Sequence, residues 1–150
     1  MLAPLRTTGG EGAHEPCMAR NLMEFAKVGY IQIEAGRIGG LTLAYAVARD
    51  AEQRGVTYVN HTFTTPLALS ASLQTYAGLE HCRLCEFPAE SSQLAKGLTE
   101  EKLAPDNNGR IEIPDQPGLG MTVNLATLRR FLMPVEIRVK NRVLYQTPQI

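Results

Sequence analysis

The feature that most constrains this chain is a rhythm. Short apolar or β-branched runs alternate with longer runs of helical spacing, and the alternation persists over the first 87 residues. Strands are expected at Leu2–Thr7, Tyr30–Ile33, Val56–Val59 and Cys82–Phe87. Between the first two, Met18, Leu22, Phe25 and Ala26 recur at helical intervals within Cys17–Val28, and Pro16 suits a first turn. Leu41–Arg54 is the clearest helix, with Leu41, Ala44, Tyr45, Ala48 and Ala51 on one face and Gly55 as its stop. Thr65 can cap a third helix that opens at Pro66, carries Leu67, Leu69, Leu73 and Tyr76, and ends near Gly78. Strands separated by single helices and short loops must lie parallel, joined by right-handed crossovers. The chain is therefore expected to be α/β, with about four parallel βα units.

A chain of 150 residues is long enough for one domain with a real core. Its 15 basic and 15 acidic residues cancel, which removes the electrostatic case for nucleic acid or an anionic membrane surface as a partner. No apolar run approaches the roughly 20 residues that a membrane helix needs. The stretch Met1–Arg6 lacks a basic region followed by an apolar core, so no secretion signal is read there. Three cysteines, an odd number, fit a reducing, cytoplasmic setting. Cys82 and Cys85 form a single Cys-x-x-Cys with no second pair, too few ligands for a zinc site, so they read as small buried hydrophobes.

Ile31–Thr42 is the informative stretch: a buried strand, a charged turn, two glycines and the opening of an apolar helix. Glu34 falls at the C-terminal end of that strand, where parallel α/β folds present side chains to ligands. The other strands end alike. Glu11, Glu34, His61 and Glu86 follow successive strands at intervals of 23, 27 and 25 residues. Four such side chains converge on one rim of a curved parallel sheet. Glu11 is a carboxylate able to hold a hard cation such as magnesium. His61 can act as a general acid or base, its ring oriented by Glu34 on the neighbouring strand. Glu86 can share a proton opposite a developing oxyanion. His14, a loop residue near Glu11, can touch a ligand, and Arg37 near the rim can bind a substrate carboxylate.

After Pro88 the rhythm breaks. Pro105–Arg110 reads as a turn, Ile111–Ile113 as a short strand and Pro114–Gly120 as a rigid loop. Asn124 can cap a short helix through Phe131, and a hairpin is expected with arms Val135–Val139 and Val143–Tyr145 about Lys140-Asn141-Arg142.

These residues carry a family resemblance. Gly10-Glu11, the run Gln32–Thr42, Asn60-His61, Glu86-Phe87-Pro88 and Asp115–Gly120 resemble, in order and spacing, the mandelate racemase and muconate-lactonizing branch of the enolase superfamily. The resemblance implies the C-terminal half of a (β/α)8 barrel over residues 1–104, with 105–150 an extension that packs back on the barrel or on a capping domain. It implies that Glu11 is the last of three magnesium carboxylates, that Glu34 and His61 form a charge-paired dyad with His61 the acid/base, and that Glu86 hydrogen-bonds the substrate. The implied chemistry is proton removal α to a carboxylate through an enediolate, followed by racemisation, cycloisomerisation or loss of water. The substrates would be small carboxylates or acid sugars.

Two departures from the family pattern stand out. Glu34 occupies a position where the family usually has Asp. The first half of the barrel, with its Lys-bearing strand and two earlier metal carboxylates, has no counterpart here. The chain alone is therefore expected to be inactive, and either a partner chain or a homo-oligomer is expected to close the half-barrel. A non-catalytic half-barrel with a structural or interaction role is the alternative. A nucleotide-binding reading is disfavoured, because Thr8–Gly12 lacks Gly-x-Gly-x-x-Gly and Glu11 would repel a phosphate.

Overall fold

The structure, a computed structural model, describes residues 5–150. The strand expected at Leu2–Thr7 lies partly outside these residues, and the first strand that forms, β1, is Thr8–Gly9. It pairs in parallel with β2 (Tyr30–Ile33), which pairs in parallel with β3 (Thr57–Asn60), giving the order β1-β2-β3. Helix α1 (Pro16–Glu24) makes the first crossover and α2 (Leu41–Gln53) the second, while α3 (Pro66–Gln74) follows β3. Local chemistry explains the helix starts. Proline stands in the first turn of both α1 and α3, and the Thr65 side chain accepts a hydrogen bond from the Ala68 amide at 3.1 Å. Ahead of α2 the chain turns through Gly40 at φ 112°, a conformation other residues rarely adopt.

The sheet has two unlike faces because β side chains alternate. Ile31 and Ile33 are fully buried under the helices, against Ala44, Val47, Ala48 and Ala51 of α2 and Ala19 and Met23 of α1. Each such isoleucine contributes about 1.5–3 kcal/mol of hydrophobic burial. Val47 belongs to the buried face of α2, whereas Leu41 and Tyr45, expected there, are each 39% exposed. The opposite face of the sheet is concave and mixes polar with apolar side chains. Tyr30 and Gln32 lie there half-buried, opposite Thr57 and Val59 in register. Thr8 donates to the Gln32 side-chain oxygen at 2.9 Å. Arg6 reaches across to Thr57 at 2.9 Å, with its guanidinium 4.2 Å from the centre of the Tyr30 ring.

The fourth strand expected at Cys82–Phe87 does not join the sheet. Two amides on the outer edge of β3 are already taken by side chains: Tyr58 N–H donates to Cys82 Sγ at 3.3 Å, and Asn60 N–H donates to the Tyr76 hydroxyl at 2.8 Å. The segment runs alongside β3, held by side chains rather than by a ladder. The strand expected at Ile111–Ile113 is also absent, and that segment has no regular structure.

Beyond it, α4 (Gln93–Gly97) is capped by Ser92, a helix the sequence reading did not anticipate. The expected helix forms as α5 (Leu125–Phe131), with Asn124 accepting from the Thr127 amide at 2.8 Å. The terminal hairpin also forms, as β4 (Glu136–Val139) and β5 (Arg142–Gln146). Its turn residues Lys140 and Asn141 both have positive φ, 47° and 63°, which matches the right-handed twist of a two-residue hairpin. The 105–150 region returns to α3 and α4: Gln74 donates to the Pro114 carbonyl at 2.9 Å, Ser70 donates to the Leu119 carbonyl, and Asn124 N–H donates to the Leu98 carbonyl at 2.8 Å. Among the described residues no helix is long and apolar enough to cross a membrane.

Candidate active site

Parallel register sets two of the four expected strand-end residues side by side, and a segment outside the sheet brings a third to them. Ile33 pairs with Asn60, and His61 N–H donates to the Ile33 carbonyl at 2.9 Å, so Glu34 and His61 follow one another across adjacent strand ends. Glu86 arrives on the segment beside β3, and its Oε2 lies 2.8 Å from His61 Nδ1. Both side chains are about a quarter exposed, at 24% and 28%, so the pair is sheltered yet reachable. The Phe63 ring meets the imidazole edge-on, with centroids 4.9 Å apart.

The partner of His61 differs from the expectation. Glu86, not Glu34, holds the imidazole. The Glu34 carboxylate turns back on its own loop: Oε1 accepts from Gly36 N–H at 2.8 Å, and Oε2 lies 4.0 Å from Arg37 Nε.

Chemistry fixes the tautomer of the pair. An ionised carboxylate only accepts hydrogen bonds, so in contact with Glu86 the proton sits on Nδ1. Nε2 then carries the lone pair, and among the described residues it makes no hydrogen bond. A neutral imidazole with a free Nε2 and a carboxylate behind it can act as a general base, and after taking a proton as the matching acid.

Glu11 lies on an exposed turn just past β1. Gly10, at φ 117°, makes that turn possible: a Cβ there would lie 2.7 Å from the Gln32 carbonyl oxygen. Arg37 Nη1 donates to the Glu11 carbonyl at 2.9 Å while its Nε faces Glu34. Arg37 thus braces two strand ends through Nη1 and Nε. His14 is exposed at the bend before α1 and makes no hydrogen bond among the described residues. No group of three or more His, Cys, Asp or Glu residues able to hold a metal occurs among the described residues. A magnesium ion takes six oxygens in near-octahedral array, so Glu11 by itself does not constitute such a site.

The concave face forms an open hollow of about 410 Å³, lined by Arg6, Thr8, Tyr30, Gln32, Val59 and Glu86 among others. Sequence reasoning missed this lining, although Tyr30, Gln32 and Glu34 alternate with Ile31 and Ile33 at the period of two that marks a two-faced strand. It also missed Asn60 and Tyr76, which grip the Glu86 segment.

Comparison with known proteins agrees with this geometry. The family described as Enolase C-terminal domain-like matches residues 2–127. A D-xylonate dehydratase from Haloferax volcanii is 28% identical over 130 residues, covering 85% of this chain and 31% of that protein. A D-galactarolactone cycloisomerase from Agrobacterium fabrum is 28% identical over 139 residues, covering 87% of this chain and 36% of that protein. The crystal structure of a predicted mandelate racemase from Rhodobacter sphaeroides superposes with a TM-score of 0.92 at 52% identity, covering 98% of this chain and 38% of that one. The chain thus spans about a third of the length of the curated relatives it matches. With parallel strands ending in Glu11, Glu34 and His61, and a matched span that runs nearly end to end, this chain belongs to the enolase C-terminal domain-like family.

Proposed function

We propose that this chain is the C-terminal half of a (β/α)8 barrel and supplies the acid/base side of its active site. The reaction is removal of the proton α to the carboxylate of an acid sugar or related hydroxy acid, giving an enediolate that goes on to dehydrate, cycloisomerise or racemise. The observation that carries this reading is the His61 Nδ1–Glu86 Oε2 contact of 2.8 Å at the C-terminal rim of a parallel sheet. His61 takes the α-proton on Nε2. Glu86 holds the ring in the tautomer that makes this possible and stabilises the imidazolium that results. Such acid/base transfer is worth about 10²–10⁴-fold in rate. Glu34, at the neighbouring strand end, is the second carboxylate of the rim.

Glu11 supplies one ligand to a magnesium ion whose other ligands lie outside this chain. Residues 105–150 act as an extension that packs back on the barrel. The relatives' substrates, a sugar acid and the lactone of a different sugar acid by name, support a small carboxylate substrate. On this reading the 150-residue chain alone turns over no acid sugar, because the rest of the barrel completes the site.

The test uses a full-length polypeptide in which these 150 residues replace the matching segment of the Rhodobacter protein. Assayed on a panel of acid sugars beside its parent, it is expected to turn over acid-sugar carboxylates and to lose that turnover in His61→Asn. Undiminished turnover by His61→Asn would overturn the proposal.

A further inference from the structure

We propose that Asn60 and Tyr76 are positioning residues: together they form a bracket that sets Glu86 against His61, and so determine which imidazole nitrogen is free. The proposal rests on the reading of His61 and Glu86 as the proton-transfer pair.

The bracket replaces the missing strand pairing. Asn60 is fully buried, and its side-chain amide faces the Glu86 backbone. Nδ2 donates to the Glu86 carbonyl at 3.0 Å, and Oδ1 accepts from Glu86 N–H at 2.9 Å. A carboxamide carries a donor and an acceptor side by side, as a peptide group does, so it makes the two-bond exchange of a β-ladder from a side chain. The Tyr76 hydroxyl completes the device. It accepts from Asn60 N–H at 2.8 Å, donates to the Leu84 carbonyl at 2.7 Å, and lies 3.0 Å from Asn60 Oδ1. The incoming segment is thereby gripped at Leu84 and Glu86, alternate residues, as a strand would be.

The consequence is geometric. Asn60 directly precedes His61, whose own amide is tied to Ile33 on the other side. The two ends of the His61–Glu86 contact, 25 residues apart in sequence, are therefore linked through one side-chain amide. The same amide thus ties the Glu86 backbone to the residue that precedes His61, and the imidazole and the glutamate meet beside it. The Tyr76 ring is wedged edge-on against Tyr58, with centroids 5.4 Å apart, so the hydroxyl has little freedom to follow a displaced partner. Removing that hydroxyl leaves the Asn60 amide and the Leu84 carbonyl without their partner, and the register of Glu86 loosens. Tyr76→Phe keeps the ring and its packing.

The test reads the ring itself. Nitrogen-15 spectra of His61 in the 150-residue chain report which nitrogen is protonated when the ring is neutral. The parent chain is expected to carry the proton on Nδ1, and Glu86→Ala to lose that preference. If the bracket positions Glu86, Tyr76→Phe and Asn60→Ala lose it as well. In the exchanged full-length polypeptide, Tyr76→Phe is expected to lower kcat about ten- to hundredfold with KM little changed, as misplacement near 1 Å does. An unchanged Nδ1 preference in a folded Tyr76→Phe, alongside its loss in Glu86→Ala, overturns the bracket and leaves the pair standing. No change in Glu86→Ala overturns the pair, and the bracket with it. Should Asn60→Ala fail to fold, Tyr76→Phe decides alone.

Discussion

Gly10→Ala is a sharp structural perturbation at the rim of the sheet. Gly10 turns the chain from β1 toward Glu11 at φ 117°, outside the region an L-residue occupies readily. The added Cβ would sit 2.7 Å from both the Gln32 carbonyl oxygen and Ile31 Cδ1. The first belongs to the backbone of β2, and the second to a fully buried side chain. Neither can move without disturbing the centre of the sheet. Backbone strain of this kind costs about 1–3 kcal/mol, and overpacking a filled site costs about as much again. A total of about 3 kcal/mol is expected, and with a urea slope of about 2 kcal/mol per molar the midpoint falls by about 1.5 M. Gly12→Ala is the internal control: a Cβ there meets nothing within 4 Å, so its midpoint is expected to stay near the parent value. Equilibrium urea unfolding of the three chains decides the matter. Equal midpoints for Gly10→Ala and Gly12→Ala would refute the reasoning that a strained, crowded turn places Glu11.

Two further predictions concern pH. The Glu52 carboxylate accepts from the His81 and Glu80 amides at 2.9 and 2.7 Å, and these bonds, that of His81 foremost, hold its pKa below the usual carboxylate range. A depressed pKa contributes stability that is present above the ordinary value and is lost as pH falls through the lowered one. Glu52→Gln is therefore expected to flatten the acid limb of a stability–pH curve, and an unchanged limb would contradict the role given to these two bonds. Burial pushes the Tyr58 phenol up to about 12 from an ordinary 10.0, so the fold favours its neutral form. That contribution is intact below pH 10.0 and fades as pH rises toward about 12, so phenolate absorbance from Tyr58 is expected to appear only there or on unfolding.

Much of the architecture was legible because local chemistry and global fold agree. Pro16, Thr65-Pro66, Asn124 and Lys140-Asn141 act within a few residues of themselves, and each marked its element correctly. Strand ends were legible for the same reason, since a parallel crossover fixes the spacing between Glu34 and His61. What escaped the sequence was set by tertiary competition. Cys82–Phe87 has the composition of a strand, yet Cys82, Tyr76 and Asn60 occupy the hydrogen bonds a ladder would use. The partner of His61 was hidden for a related reason. Glu34 satisfies a loop amide two residues away, and only the folded bracket brings Glu86, 25 residues downstream, within 2.8 Å of the ring.

The most direct test of the account isolates the proton step from everything that follows it. The full-length polypeptide carrying these residues is incubated with an acid sugar in deuterium oxide, and loss of the α-hydrogen signal is followed by NMR. The account predicts α-deuterium incorporation that falls about 10²–10⁴-fold in His61→Asn while substrate still binds. Incorporation at the parent rate in His61→Asn would place the base elsewhere and contradict the central claim.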